Sequence, residues 1–136
     1  WYLIGKVRGD EQPRTYRIVR FKSLRMTDDT AVIPRLFDLR EYLGNAWSVY
    51  RGAESYDIEL LFTKEAASVV TETIWNHTQN TRRNSDGTVT MTFTVDGLDE
   101  IVRWIVGWAG RVKVVKPEAL RKKVVEQHKQ AIAANK

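Results

Sequence analysis

Two stretches, Ser55-Tyr56-Asp57-Ile58-Glu59-Leu60-Leu61-Phe62 and Val89-Thr90-Met91-Thr92-Phe93-Thr94-Val95, decide the architecture of this chain. In the first, Tyr56, Ile58, Leu60 and Phe62 alternate with Asp57, Glu59 and Leu61. In the second, Val89, Met91, Phe93 and Val95 alternate with threonines. Successive side chains of a strand point to opposite faces, so each stretch is predicted to be a strand with one face turned to a core.

Working outward, Thr63 is a predicted N-cap for a helix through Trp75, with Ala66, Val70, Thr73 and Ile74 on one side. Ser85-Asp86-Gly87 reads as a hairpin turn joining a Thr-rich strand after His77 to the Val89 strand. Asp96 and Asp99 resemble a capping box opening a helix to about Ala109, stopped by Gly110. Val112 and Val114 mark a last strand. Pro117 then starts a basic amphipathic helix with Leu120, Val124, Ala131 and Ile132 on one face. The order strand, helix, strand, strand, helix, strand is the βαββαβ unit of a ferredoxin-like domain, here over residues 55–136 with one extra helix.

Upstream, Trp1 to Val7 and Thr15 to Leu24 are predicted as a strand hairpin around the turn formers Gly9, Asp10 and Pro13. Residues 29–54 read as a linker, with a brief helical pattern from Phe37 to Leu43 ended by Gly44-Asn45. The predicted class is therefore α+β: a hairpin at 1–28, a linker at 29–54 and a ferredoxin-like domain at 55–136.

At 136 residues, 43% hydrophobic and 29% charged, the chain is expected to be an ordinary soluble domain, not a large enzyme or a disordered polymer. No apolar run approaches the roughly 20 residues of a spanning helix, and the start lacks a signal-peptide pattern, so no membrane role and a cytoplasmic location are expected. Opening in mid-strand on Trp1, the sequence reads as a piece of something longer. The absence of cysteine removes disulfides, thiolate nucleophiles and cysteine-bound metals. His77 and His128 lack a companion at helical spacing, so no metal site and no cofactor are expected.

Nucleophile elbows, phosphate loops and metalloprotease helices are missing, so the chain is not expected to be an enzyme and no catalytic residues are assigned. The carboxylate pairs Asp28-Asp29 and Asp99-Glu100 have an ordinary reading, the second as acids in a helix's first turn. The formal charge of +5 is unevenly placed, net +4 over 1–28, −5 over 29–110 and +6 over 111–136. Basic ends permit contact with nucleic acid or phosphate, and are equally the pattern of a solvated basic face.

Two features stand out beyond this background. In the helix at 98–109, Leu98, Ile101, Val102, Trp104, Ile105, Val106 and Trp108 fill an apolar arc of roughly 200 degrees, more than one sheet needs. Either a second copy buries the edge carrying Trp104 and Trp108 as a dimer interface, or the linker or last helix covers it. In the hairpin, Arg14, Arg17 and Arg20 interleave with Tyr16 and Phe21, a combination that suits phosphates and stacked bases. Strict alternation places Arg17 on the face opposite Arg14 and Arg20, so one pocket of all three needs a bulge or another chain.

Trp1-Tyr2-Leu3-Ile4-Gly5 followed by Arg14, Tyr16, Arg17, Ile18, Arg20 and Phe21 resembles the end of the WYL domain, a small Sm-like β-barrel of bacterial transcriptional regulators. Phe37-Asp38-Leu39, Tyr42-Leu43, Trp75, His77, Gln79, Asp86-Gly87-Thr88, Trp104, Gly107, Pro117 and Leu120-Arg121 resemble WCX, the extension that usually follows it. The resemblance implies the sensing and dimerising end of a regulator whose missing N-terminal part holds a helix-turn-helix for DNA and the earlier barrel strands. It also implies that Arg14, Tyr16, Arg17 and Arg20 serve a nucleotide or single-stranded nucleic acid effector. Val19 departs from the acidic or small polar residue often found between the last two arginines. Two alternatives remain open: a stand-alone module binding RNA or single-stranded DNA on its sheet, and a small-molecule-sensing ferredoxin-like domain. The face away from the helices, with Asp57, Glu59 and threonines in place of aromatics, argues against the first.

Overall fold

The computed structural model describes residues 1–136 and divides into two compact units, Trp1–Asp38 and Leu39–Lys136. In the first, β1 (Tyr2–Gly5) pairs antiparallel with β2 (Arg14–Arg17), Tyr2 opposite Arg17 and Gly5 opposite Arg14. The turn between them includes Gly9 at φ 96°, a backbone angle that glycine adopts without a Cβ penalty. The second strand is shorter than expected. Pairing is exhausted once the Ile18 N–H reaches the Trp1 carbonyl at 3.2 Å, and Ile18–Arg20 then coil into a single 3-10 turn. No residue of this unit is buried.

The second unit holds α1 (Leu39–Leu43), β3 (Ser55–Phe62), α2 (Lys64–Thr71), β4 (Asn80–Arg83), β5 (Val89–Asp96), α3 (Asp99–Gly107), β6 (Val112–Lys116) and α4 (Glu118–Ala134). The sheet order is β4-β5-β3-β6 with every neighbouring pair antiparallel, which is the ferredoxin-like arrangement expected from the element order. Ile58 lies opposite Phe93, Leu60 opposite Met91 and Phe62 opposite Val89. These buried side chains form the core with Ala66, Ala67 and Val70 of α2 and Ile101, Val102 and Ile105 of α3. The other face carries Asp57 opposite Thr94 and Glu59 opposite Thr92, with the Thr94 hydroxyl donating to Asp57 at 2.9 Å. At the β4–β5 turn, Asp86 Oδ1 accepts the Thr88 N–H at 2.9 Å, and Gly87 sits at φ 85°.

Three helices depart from expectation for local reasons. Helix α2 stops at Thr71, not Trp75: the Thr71 hydroxyl bonds back to the Ala67 and Ser68 carbonyls, and the Trp75 indole N–H takes the Val70 carbonyl at 2.9 Å. Ile74, expected on the buried side, is 82% exposed. Helix α3 is preceded by Leu98 at the N-cap and ends at Gly107, so Asp96 does not form the expected capping box. Helix α4 buries Leu120 and Val124, but Ala131 and Ile132 are exposed because everything after His128 runs clear of the core.

The segment expected to be linker is fixed from Leu39 onward. Gly44, at φ 54°, ends α1 with its N–H on the Arg40 carbonyl at 2.8 Å. Asn45, Gly52 and Glu54 then bond to the backbone at the end of β5. Gly52 and Gly97 touch there, and a Cβ on Gly52 would lie 2.6 Å from Gly97 Cα, so neither position tolerates a side chain.

Candidate functional site

In the hairpin, cross-strand pairing puts Arg17 beside Tyr2, with its guanidinium 5.9 Å from the ring centroid. Alternation puts Arg14 and Tyr16 on the opposite face, next to Gly5 and Leu3. Arg14 pairs with Asp10 at 3.0 Å, and Arg20 lies in the 3-10 turn, off the strand. The structure thus brings Arg14 and Tyr16 to one side and leaves Arg17 on the other. A single pocket of the three arginines is not assembled within the hairpin.

The apolar arc of α3 is covered in part by its own chain. Trp47, from the segment before β3, stacks at 4.8 Å on Trp104 and 5.2 Å from Phe93. Trp75 reaches Trp104 at 5.1 Å, and Trp108 closes on Trp104 at 5.8 Å and on Phe62 at 5.4 Å. Tilted and edge-on rings at these distances are the favoured aromatic geometries. Trp104 and Trp108 remain half-buried along an open hollow of about 700 Å³, rimmed by Arg103, Gly107 and Arg111.

Two carboxylates hold Trp47 in place. Asp96, 7% exposed, accepts the Asn45 N–H at 3.1 Å and Arg51 Nε at 3.0 Å. Burial would push its carboxyl up, but the Asn45 amide, the Ser55 hydroxyl and the Arg51 guanidinium outweigh that and hold it below the ordinary carboxylate value. Glu100 accepts the N–H groups of Ser48, Val49 and Tyr50 at 2.9–3.4 Å. Asp96 and Glu100 therefore clamp the strap that carries Trp47, while Asp99 and Glu100 lie in the first turn of α3 as expected. Of the expected Asp96–Asp99 box, Asp96 finds its partners about fifty residues upstream and Asp99 pairs with Lys123 of α4.

Behind Trp47 lies a narrower cleft of about 330 Å³, lined by Arg40, Trp47, Ser48, Trp75, Asn76 and His77 among others. The 75–79 turn on its far wall is stapled at several points. Gln79 Oε1 accepts the Trp75 N–H at 2.9 Å, and Asn76 Oδ1 accepts the Thr78 N–H at 2.9 Å and the Thr78 hydroxyl at 2.7 Å. Thr78 Oγ1 also receives the Thr94 N–H at 2.9 Å, tying the turn to β5. Sequence reasoning assigned roles to neither Trp47 nor Asn76. For Asn76 a signal existed, since Asn-x-Thr is the pattern of an Asx turn.

No cluster of metal-ligating side chains occurs, and no helix is long and apolar enough to cross a membrane. Among family models, that of the WCX domain matches residues 54–132. No curated protein matches the chain.

Proposed function

The chain belongs to the WCX domain family, and from that premise we propose that it is the effector-sensing and dimerising C-terminal part of a bacterial transcription regulator of the WYL type, cytoplasmic and not catalytic. The observation that carries this reading is the WCX match over most of the second unit, preceded by an exposed hairpin bearing Arg14, Tyr16, Arg17 and Arg20. In this reading DNA is held by a helix-turn-helix outside these 136 residues, and the hairpin contributes arginines to a nucleotide or single-stranded nucleic acid effector site completed by other strands. The homodimer contact is assigned to the open side of Trp104 and Trp108, where aromatic rings and Arg103 face a hollow of interface character.

The test is a pair of measurements on this chain. It should bind duplex DNA weakly and without sequence preference, and it should sediment as a dimer at concentrations on the order of tens of micromolar. A sharply preferred duplex site at physiological salt would overturn the assignment of DNA recognition to another segment. A monomer at those concentrations would remove dimerisation from it.

The rival reading of a sheet that binds bases directly finds little support. The open face presents Asp57, Glu59 and the Thr92 and Thr94 side chains, with no aromatic platform.

A further inference from the structure

We infer that the cleft between the 40–48 segment and the 75–77 turn is a binding site for a small flat ring carrying one anionic group. The site lies wholly in the second unit and does not rest on the regulator reading, which assigns the effector to the arginine hairpin.

The argument starts from Asn76. The residue is 5% exposed, and its side-chain oxygen is committed twice to Thr78. Because the Thr78 N–H can only donate, the amide cannot be flipped, and the nitrogen is fixed on the other side. That nitrogen donates to no protein atom and is not sealed from solvent, and Asn76 is part of the cleft lining. A nearly buried donor with no protein acceptor is left to solvent alone, and an acceptor entering the cleft would satisfy it.

The rest of the lining defines that acceptor. Trp47 and Trp75 supply aromatic surface and are held against Trp104, so they are rigid before anything binds. Arg40 and His77 stand on the lining with Ser48, and no acidic side chain does. A guanidinium and hydrogen-bond donors beside indole walls select a ring with a carboxylate or phosphate, and disfavour a cation or an aliphatic chain. At about 330 Å³ the cleft lies at the small end of ligand sites, suited to a single ring system and not to a polymer threaded through it.

Its two walls also come from different parts of the chain. One is the strap clamped by Asp96 and Glu100, the other the turn stapled to β5. A ligand touching both would tighten the strap on the domain.

Isothermal titration of the full 136-residue chain tests this with two anions, salicylate for the carboxylate source and uridine monophosphate for the phosphate source, each against its neutral analogue, salicylamide and uridine. Saturable binding of at least one anion below about 1 mM is expected, with the neutral analogue at least tenfold weaker. Asn76→Asp keeps an oxygen for the two Thr78 donors but replaces the amide donor with a charged oxygen, and should weaken the anion tenfold or more. His77→Ala, on an exposed residue, should weaken it by a smaller factor and covers the case in which Asn76→Asp does not fold. No saturable binding by either anion, equal affinity for the neutral analogues, or unchanged affinity in both variants would overturn the proposal. The DNA-binding and sedimentation tests of the regulator reading would be unaffected by that result.

Discussion

Each unit contains an antiparallel strand pair, and the two pairs are built on opposite terms. β3 and β5 exchange eight residue pairs over a closed core, while β1 and β2 exchange four and bury nothing. A two-stranded hairpin is marginal in water without a surface to rest on. The second unit rests on side-chain packing across its sheet, whereas the first presents its arginines to solvent with few contacts inside the hairpin.

The harshest challenge to that contrast is Trp104→Ala. It removes the ring on which Trp47, Trp75 and Trp108 converge, and should cost about 3–5 kcal/mol in a urea titration of the second unit. If the parent chain sediments as a dimer that Trp104→Ala dissociates without loss of stability, Trp104 is an interface residue first and the packing account fails.

A second test targets the strap. Asp96→Ala leaves the Asn45 amide and Arg51 without their acceptor and should cost about 1–3 kcal/mol, with faster amide exchange over residues 45–52 than in the strands. The same carboxylate sets a pH dependence. Its folded pKa is lower than its unfolded one, so its stabilisation is complete above the unfolded value of about 3.9 and disappears as pH falls through the folded value. Amides of 45–52 should therefore lose protection in acid before those of β5.

The smallest effect on stability is expected in the hairpin. Arg14→Gln, Arg17→Gln and Arg20→Gln should each change stability by less than about 0.5 kcal/mol, since their one ion pair and one ring contact are exposed. In an intact regulator the Arg14 and Arg20 changes should weaken single-stranded nucleic acid binding and flatten its salt dependence. Arg17, paired with Tyr2 on the other face, sharpens the prediction. If Arg17→Gln leaves that binding intact, the ligand lies on the Arg14–Tyr16 side.

The strands of the second unit were legible because Ile58, Leu60 and Phe62 recur at period two, with Asp57 and Glu59 in alternate positions, a signal that needs no distant partner. What escaped reading depends on distance along the chain. Nothing near Asp96 reveals that its acceptors serve Asn45 and Arg51, and a local cap was the nearest physical explanation for an acid before a helix. Trp47 sits in a stretch without periodicity, so its place on Trp104 was invisible. The alternative that the linker covers the apolar arc nevertheless pointed to the right segment. The end of α2 was missed because helical spacing continues to Ile74, while the Thr71 back-bond and the Trp75 indole end the helix there.

The meeting of Trp47, Trp75, Trp104 and Trp108 within one cluster also has an optical consequence. Indole transition dipoles at centroid separations of 4.8–6.3 Å and fixed tilts couple, and the coupling splits their strong ultraviolet bands into exciton pairs of opposite sign. The far-ultraviolet circular dichroism spectrum of this chain will therefore carry a contribution unrelated to helix, and helix content read from it without correction will be wrong. That same contribution vanishes when the rings lose register even if the helices persist, so it separates a packed domain from a compact one whose side chains have come loose.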